Sequence, residues 1–119
     1  MAPEQEAHLA RTRQQRRDVY CSAVSFVVRE HARQLTLGEV ARHTLTSTRQ
    51  MQRVLAGEGT SFRRLLLRVR MKKAARLLQT EAPISEVART VGYLEPAAFS
   101  KAFRSDSGCS PSAWRQTHR

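Results

Sequence analysis

The sequence predicts an all-α protein of seven helices, arranged as two helix-turn-helix subdomains joined by a long linker helix. The chain is rich in Ala, Leu, Arg and Gln, and it holds only five glycines and four prolines in 119 residues. Its apolar residues recur at helical spacing, and strict apolar-polar alternation is hard to find. At this length we expect one compact domain, or two very small ones that share a helix.

The first ordered element is predicted to begin near residue 17. Residues 1–16 are polar and show no apolar period, so we predict a mobile basic arm there, with a fraying extension of the first helix as the open alternative. The helix that follows has an apolar face of about four turns. That face is formed by Val19, Tyr20, Ala23, Phe26 and Val27.

Residues 17–60 are predicted to form the first subdomain. Thr36 is a typical N-cap for a short helix through about His43, with Glu39 at the capping-box position. After the turn TLTS, Ser47 is expected to cap a third helix over about 48–58. Met51, Val54 and Leu55 mark its buried side, and a polar stripe lies opposite them. The stripe consists of Arg49, Gln52, Arg53 and Ala56.

Residues 61–79 are predicted to form the linker helix, which begins at Thr60 or Ser61 after a glycine-containing exit. Its basic residues have two open roles, bracing the two subdomains or solubilising the helix. The residues concerned are Arg70, Lys72, Lys73 and Arg76.

Residues 80–119 are predicted to form the second subdomain. Pro83 opens a short fifth helix that ends at Gly92. A sixth helix follows over 96–107 and buries Phe99, Ala102 and Phe103, and a last helix begins at Pro111 after the cap Ser110. The aromatic residues fall on buried stripes, so we expect them in the core rather than stacked on bases. They are Phe62, Phe99, Phe103 and Trp114.

An internal repeat relates the two subdomains. The tetrapeptide EVAR occurs at 39–42 and again at 86–89, followed each time by a turn and a helix with a large buried anchor, Met51 or Phe99. One additional residue lies in the second turn. Two short helices joined by a tight turn, the second with a polar outer stripe, are typical of a helix-turn-helix unit, and two copies in tandem favour DNA binding.

The charge of the chain predicts a polyanionic partner. Lys and Arg number 21 against 10 Asp and Glu, which gives a formal charge of +11. Charge alone does not separate DNA from RNA or an anionic membrane, but no apolar stretch is long enough for a membrane span or a signal peptide. We therefore expect a cytoplasmic protein without a membrane partner.

Catalytic and metal-binding patterns are missing from the sequence. The cysteines, Cys21 and Cys109, and the four histidines are scattered, so we expect reduced thiols, no metal site and no cofactor. No Ser-His-Asp or Cys-His grouping, paired acid at helical spacing or phosphate-binding glycine loop occurs. We therefore do not expect an enzyme.

The segment ISEVARTVGYLEPAAFSKAFRSDSGCSPSAWR at 84–115 resembles the signature region of the AraC/XylS family of transcriptional regulators, and RVRMKKAARLL at 68–78 fits the same pattern. The resemblance covers about residues 17–117. It implies a seven-helix domain whose third and sixth helices lie in successive major-groove segments of double-stranded DNA, commonly with activation of RNA polymerase. The length resembles the stand-alone class that binds DNA as a monomer, or an excised domain.

The base-contacting residues are expected on the two outer stripes. Arg suits guanine and Gln suits adenine, so the first set is Arg49, Gln52 and Arg53, which also match the family's contact positions; a merely solvated face is the alternative. The second helix offers fewer hydrogen-bonding groups, so we predict unequal contributions, with the first helix setting most of the sequence preference. The second set is Ala97, Ala98, Ser100 and Lys101, and the alternative for the two alanines is that they are plain helix formers on a partly exposed face.

A further group of polar residues is predicted to contact the DNA backbone. Ser47 and Thr48 lie at a helix N-terminus, where free N–H groups favour phosphate, and their role as caps is compatible with that contact. Arg42 and Arg89 occupy equivalent repeat positions, and Arg104 follows Lys101 on the sixth helix. An ordinary solvated arginine is the alternative for Arg42 and Arg89.

Two other functions remain open. A non-specific nucleic-acid-binding protein would share the charge without needing two outward stripes. A module that binds RNA polymerase, with only weak DNA contact, is the second alternative. The operator sequence, the regulated genes and the sign of regulation are not predicted by the sequence.

Overall fold

Between Ala2 and His118, the part of the chain that the computed structural model describes, all regular structure is helical. The elements are α1 (Pro3–Glu30), α2 (Leu37–His43), α3 (Thr48–Gly57), α4 (Phe62–Leu78), α5 (Ile84–Thr90), α6 (Pro96–Ser107) and α7 (Pro111–His118). The prediction of a seven-helix, all-α fold is confirmed, and the helix bounds differ from the expected ones by a residue or two except at the N-terminus.

The N-terminal segment follows the alternative of a helix extension rather than the arm expected over 1–16. From Pro3 onward its described residues are the first half of α1, so no helix boundary lies near residue 17. Proline at the first helical position and the acidic Glu4 and Glu6 in the first turn favour a helix start there. Residues 2–11 are all exposed, so this half of the helix has no buried face that an apolar period would reveal.

Local side-chain caps fix where the short helices begin. The Thr36 hydroxyl oxygen accepts the backbone N–H of Glu39 at 3.2 Å, and Ser61 accepts that of Arg64 at 3.2 Å. Ser47 and Gln50 form a reciprocal capping box, with donor-acceptor distances of 2.9 and 3.1 Å. The predicted caps Thr36, Ser47 and Ser61 are confirmed.

Each subdomain has its own hydrophobic core. The first core lies between α1, α2, α3 and the first half of α4, and its fully buried residues are Ala23, Val27, Val40, Met51 and Leu55. The second lies between the rest of α4 and α5 to α7, and its largest fully buried residues are Leu78, Val87, Val91, Phe99 and Phe103. The tandem arrangement of two small helical units follows from these two cores.

The linker helix α4 belongs to both cores. Leu65, Leu66 and Val69 pack into the first, whereas Leu67 and Met71 pack into the second. The two sets alternate along the helix between residues 66 and 71, so α4 offers two apolar faces over the same turn. The subdomains are therefore fused through one helix rather than connected by a free spacer.

Arg70 joins the two subdomains where they meet on α4. Its side chain is 9% exposed, and its Nε and Nη2 donate to the backbone oxygens of His31 and Arg33 at 2.9 and 3.0 Å. Its guanidinium carbon lies 5.4 Å from the centre of the Tyr93 ring in the turn between α5 and α6. Of the two roles left open for the basic residues of α4, bracing is the one that Arg70 has, while Lys72, Lys73 and Arg76 are exposed.

Candidate nucleic-acid interface

The turns of the two helix-turn-helix units contain the same pair of backbone hydrogen bonds. In the first, the N–H groups of Leu45 and Thr46 donate to the carbonyls of Arg42 and Ala41 at 3.2 and 2.9 Å. In the second, the N–H groups of Gly92 and Tyr93 donate to those of Arg89 and Ala88 at 3.1 and 2.9 Å. Leu45 and Gly92 both have positive φ, of 59° and 96°. The sequence repeat is therefore a structural repeat of helix, turn and helix.

The first unit presents a polar stripe on α3. Met51 and Leu55 hold the inner side of the helix, with exposures of 0% and 1%. Arg49, Gln52 and Arg53 are all exposed on the other sides. The capping box at Ser47 fixes the start of the helix, so these side chains project from a short helix whose inner side is buried.

The second unit presents the corresponding face on α6. Phe99 and Phe103 anchor it in the core, and Ala97, Ala98 and Lys101 are exposed while Ser100 is half-buried. The N-cap Glu95 forms no side-chain cap hydrogen bond, and Pro96 begins the helix. The exposed face of α6 thus has fewer hydrogen-bonding groups near its start than that of α3.

The predicted backbone-contacting residues surround these two faces. Arg42 and Arg89 are exposed in the last turns of α2 and α5, and Arg104 is exposed on α6. Thr48 is exposed as the first residue of α3. The Ser47 oxygen accepts a backbone N–H in the capping box, which leaves its own hydroxyl proton to donate.

A cleft runs beside each outer face, and each cleft adds a cation that the sequence did not single out. The cleft between α1 and α3 has a volume of about 370 Å³ and is lined by Arg16 and Arg53 among others. The cleft between α4 and α6 has a volume of about 530 Å³ and is lined by Arg63 and Lys101 among others. Arg16 fell within the predicted arm. Both cations could have been found in the sequence by extending the internal repeat toward the N-terminus, into the long helix that precedes each helix-turn-helix unit.

The cations of these faces are not neutralised by any residue between 2 and 118. The cations concerned are Arg16, Arg49, Arg53, Arg63 and Lys101. Over residues 2–118, their side chains form no ion pair or hydrogen bond. A dense group of cations without internal counter-charges is the electrostatic pattern of a polyanion-binding surface.

Ion pairs outside these two faces connect neighbouring elements of the fold. Arg17 donates from Nη1 to both carboxylate oxygens of Glu58, at 3.0 and 2.9 Å, and this hydrogen bond raises the pKa of Arg17 above its ordinary value. Arg33 donates to Glu39 at 2.6 Å, which lowers the pKa of the Glu39 carboxyl and raises that of Arg33. The Arg17–Glu58 ion pair links α1 to the end of α3, the two helices between which the first cleft lies.

Two other classes of site are not seen in the described part of the chain. No three His, Cys, Asp or Glu side chains between residues 2 and 118 are grouped as a metal site requires. None of the helices described there combines the length and the hydrophobicity that crossing a bilayer demands.

Comparison with known proteins identifies the family. Residues 40–117, well over half of the chain, match the AraC-type family model described as a helix-turn-helix domain. The chain belongs to the AraC family. The C-terminal domain of AraT, a response regulator from Geobacillus stearothermophilus, is 38% identical in sequence to this AraC-type domain and superimposes with a TM-score of 0.79, covering 83% of this chain and 84% of that one.

Other AraC-type relatives agree. The transcriptional activator NphR of Rhodococcus is 33% identical over 89 residues, which are 74% of this chain and 27% of NphR. The ornithine utilization regulator of Pseudomonas aeruginosa is 35% identical over 67% of this chain and 24% of its own length. The chain thus spans about a quarter of the length of these relatives, which are regulators of transcription rather than enzymes.

One solved relative carries DNA. The DNA-binding domain of AdpA, described as a global transcriptional factor in complex with a target DNA, is 28% identical and superimposes with a TM-score of 0.76 over 83% of this chain and 91% of that one. The expected resemblance to the AraC/XylS family is confirmed.

Proposed function

We propose that this AraC-type domain is a sequence-specific regulator that binds double-stranded DNA with α3 and α6 in successive major-groove segments. The observation that carries the proposal is the pair of repeat-equivalent outer faces, each on the second helix of a helix-turn-helix unit. Each face bears cations that have no partner among residues 2–118. An α-helix fits the major groove, where base edges are distinguishable. We call α3 and α6 the recognition helices from here on.

The first recognition helix is proposed to read most of the sequence. Arg49 and Arg53 are long enough to form bidentate hydrogen bonds with guanine, and Gln52 can do so with adenine. Each bidentate pair discriminates against a wrong base by about 1–3 kcal/mol. Because these three side chains are exposed and form no hydrogen bond or ion pair with the residues that the structure describes, they are available to base edges without breaking such a contact.

The second recognition helix is proposed to contribute less discrimination. Ala97 and Ala98 offer methyl groups that suit the thymine methyl, and half-buried Ser100 has limited reach. Lys101 supplies a single charged donor. We therefore expect a T-rich bias in the second half-site and a strict preference in the first.

Contacts to the DNA backbone are proposed for residues at the edges of the recognition helices. Arg42 and Arg89 flank the two turns, and Arg104 continues the outer face of α6. Ser47 and Thr48 lie at the start of α3, where the helix dipole favours phosphate. Such contacts fix the register of the protein on DNA without selecting a base sequence.

The length of α4 bears on the shape of the bound DNA. Its 17 residues span about 25 Å at 1.5 Å per residue, whereas successive major-groove segments on one face lie about 34 Å apart. We propose that the DNA bends toward the protein between the two half-sites, which favours flexible pyrimidine-purine steps there.

Regulation is proposed to be activation through RNA polymerase. NphR, the relative described above, is named as a transcriptional activator. Because the two recognition helices lie on one chain, one molecule is able to occupy both half-sites, so we propose that the domain binds DNA as a monomer.

Selection from random duplexes tests the proposed function. The wild-type chain and Arg53→Ala are titrated against a pool of random duplexes at about 150 mM salt, and bound sequences are recovered and read. We expect one motif of two blocks about ten base pairs apart, with the first block weakened or relaxed in Arg53→Ala. Arg76→Ala, an exposed substitution on α4 outside the proposed contacts, is the matched control.

Two outcomes would contradict the proposed function, and each would favour a different one. Uniform binding across sequences, with Arg53→Ala lowering affinity for all of them, would indicate a non-specific nucleic-acid-binding protein. Binding to RNA polymerase without promoter DNA, together with only weak duplex binding, would indicate a polymerase interaction module.

A further inference from the structure

We propose that Arg16 of α1 and Arg63 of α4 are a repeat-equivalent pair of phosphate contacts, one beside each recognition helix. The inference rests on the proposed function, because it takes duplex DNA as the partner. It extends the binding surface beyond the two helix-turn-helix units to the long helix that precedes each of them.

The first cleft lies between the N-terminal half of α1 and the recognition helix α3. Thr12, Gln15 and Arg16 line it from α1, and Gln50 and Arg53 line it from α3. Except for half-buried Thr12, these residues are exposed. Both walls of the cleft thus carry polar side chains, with one guanidinium from each helix.

The second cleft lies between α4 and the recognition helix α6. Arg63 and Leu67 line it from α4, and Ala98, Lys101 and Ser105 line it from α6. Arg63 and Lys101 are exposed. This cleft again places an exposed cation of the long helix across from an exposed cation of the recognition helix, whereas Arg70, which also lines it, is buried and donates to the carbonyls of His31 and Arg33.

The repeat relates the two clefts residue by residue. With Met51 aligned on Phe99, the α3 wall aligns with the α6 wall. The aligned pairs are Gln50 with Ala98, Arg53 with Lys101, and Val54 with Ala102, and all six residues line the clefts. Arg16 and Arg63 are separated by the same number of residues as the repeated Glu39 and Glu86. The same cation therefore recurs at the same place in both copies.

Charge and position together select a phosphate. Two cations on opposite walls of a cleft repel each other, and neither Arg16 nor Arg63 has an acidic or hydrogen-bonding partner among residues 2–118. A phosphate bound by the cation of the long helix offsets that repulsion and leaves Arg53 and Lys101 to contact base edges. The sugar-phosphate strands border the major groove, so a cation beside a helix in that groove meets a phosphate, and a guanidinium binds it in two parallel hydrogen bonds.

The position of Arg16 is held by the scaffold rather than by DNA. The next residue, Arg17, is paired with Glu58 at the end of α3 at 2.9 Å. Val19, one turn later, lines the same cleft and packs against the first core. The part of α1 around Arg16 is thus set beside α3 before any ligand is present, which reduces the entropy lost on binding.

Salt dependence and phosphate ethylation test the proposal together. Affinity of the full chain for a selected duplex, or for a random 30-base-pair duplex if none is recovered, is measured from about 50 to 300 mM salt. Arg16→Ala and Arg63→Ala are each expected to lower affinity at 150 mM between about three- and tenfold and to reduce the salt slope by about 1. Arg13→Ala and Arg68→Ala, exposed arginines of the same two helices that line neither cleft, are expected to have smaller effects on both.

Ethylation of single phosphates locates the contacts. We expect interference at two phosphate positions about one helical turn apart, one relieved specifically in Arg16→Ala and the other in Arg63→Ala. Far-UV circular dichroism confirms that the variants are folded.

The failure of this proposal differs from the failure of the proposed function. If the selected motif and its loss in Arg53→Ala are found but Arg16→Ala and Arg63→Ala behave as their controls, the clefts do not bind phosphate and the recognition helices still do the reading. If the chain binds no duplex at all, both proposals are wrong, and an acidic protein partner for the clefts becomes the hypothesis to examine.

Discussion

Leu45 occupies a backbone conformation that is normally left to glycine. Its φ is 59°, and it is the counterpart of Gly92 in the second helix-turn-helix unit. A left-handed residue with a side chain costs roughly 1–2 kcal/mol relative to glycine. Leu45 is 93% exposed, so burial of its side chain does not compensate for that cost.

Replacing Leu45 with glycine is therefore expected to stabilise the domain. The gain should be about 0.5–1 kcal/mol, because relief of the left-handed strain exceeds the larger backbone entropy that glycine adds to the unfolded chain. Urea denaturation of wild type and Leu45→Gly measures it. Leu94→Gly, at an 83% exposed turn residue without positive φ, is the control and should destabilise slightly. Equal effects of the two substitutions would show that the strain at Leu45 is negligible.

Single residues differ in how well the sequence predicts them. The exposure of Arg49, Gln52 and Arg53 could be predicted because two buried anchors on a short helix define its outer side; their contacts with bases stay a prediction. Arg70 was not assigned a role from sequence, because it lies between the two apolar faces of α4 and its partners are backbone carbonyls 37 and 39 residues earlier. Every residue has a backbone carbonyl, so a hydrogen bond to one that far along the chain is not predicted by residue type or by spacing.

At the scale of helices, the starts of α2 to α7 were predicted well, whereas the start of α1, and with it the length of that helix, was not. Caps such as Thr36 and Ser47 act on neighbouring N–H groups, so their signal is local. The first half of α1 buries nothing over residues 2–11, and apolar periodicity is the main signal for a helix. A fully exposed helix extension is therefore not separable from an irregular arm by that criterion.

The turn between α5 and α6 packs tightly against α1 and α4. A Cβ added at Gly92 would lie 2.8 Å from the His31 carbonyl oxygen and 2.8 Å from Nη2 of Arg70, and Gln34 donates to the Gly92 oxygen at 3.4 Å. Gly92 is thus needed both for its φ of 96° and for the close approach of three elements.

Gly92→Ala is expected to destabilise the domain by about 3 kcal/mol or more, since it adds a clash to the cost of the left-handed conformation. Gly59→Ala provides the matched control: Gly59 has a φ of 74° but nothing within 4 Å of an added Cβ, so only the conformational cost, about 1–2 kcal/mol, should appear. Thermal denaturation of both variants measures the difference. A loss no larger at Gly92 than at Gly59 would contradict the packing described for Arg70.

The whole molecule has two cores but one shared helix and one bracing arginine. Leu66 and Val69 of the first core alternate along α4 with Leu67 and Met71 of the second. Arg70 adds hydrogen bonds and a ring contact between the subdomains. Loss of either core thus removes packing partners from the helix on which the other depends.

We expect the two subdomains to unfold together. Trp114, the only tryptophan, packs edge-on against Phe103 in the second core at 6.0 Å and so reports on the second subdomain. Leu55→Ala leaves a cavity in the first core and should cost about 2–5 kcal/mol. Its urea midpoint should fall equally by Trp114 fluorescence and by far-UV circular dichroism. A fluorescence transition that keeps the wild-type midpoint would show that the subdomains unfold independently.

The alternation of the two cores along α4 also restricts the targets of the domain. Dimeric regulators with flexible connections can tolerate a change in the distance between half-sites, because the connection stretches or rotates. In this chain neither recognition helix moves without dismantling a core. If α3 and α6 bind DNA as proposed, one inserted base pair between the blocks shifts and rotates the second half-site away from α6. Genomic sites would then be selected by spacing as stringently as by base identity, and an insertion or deletion between the blocks would abolish a site as readily as a substitution within the first block.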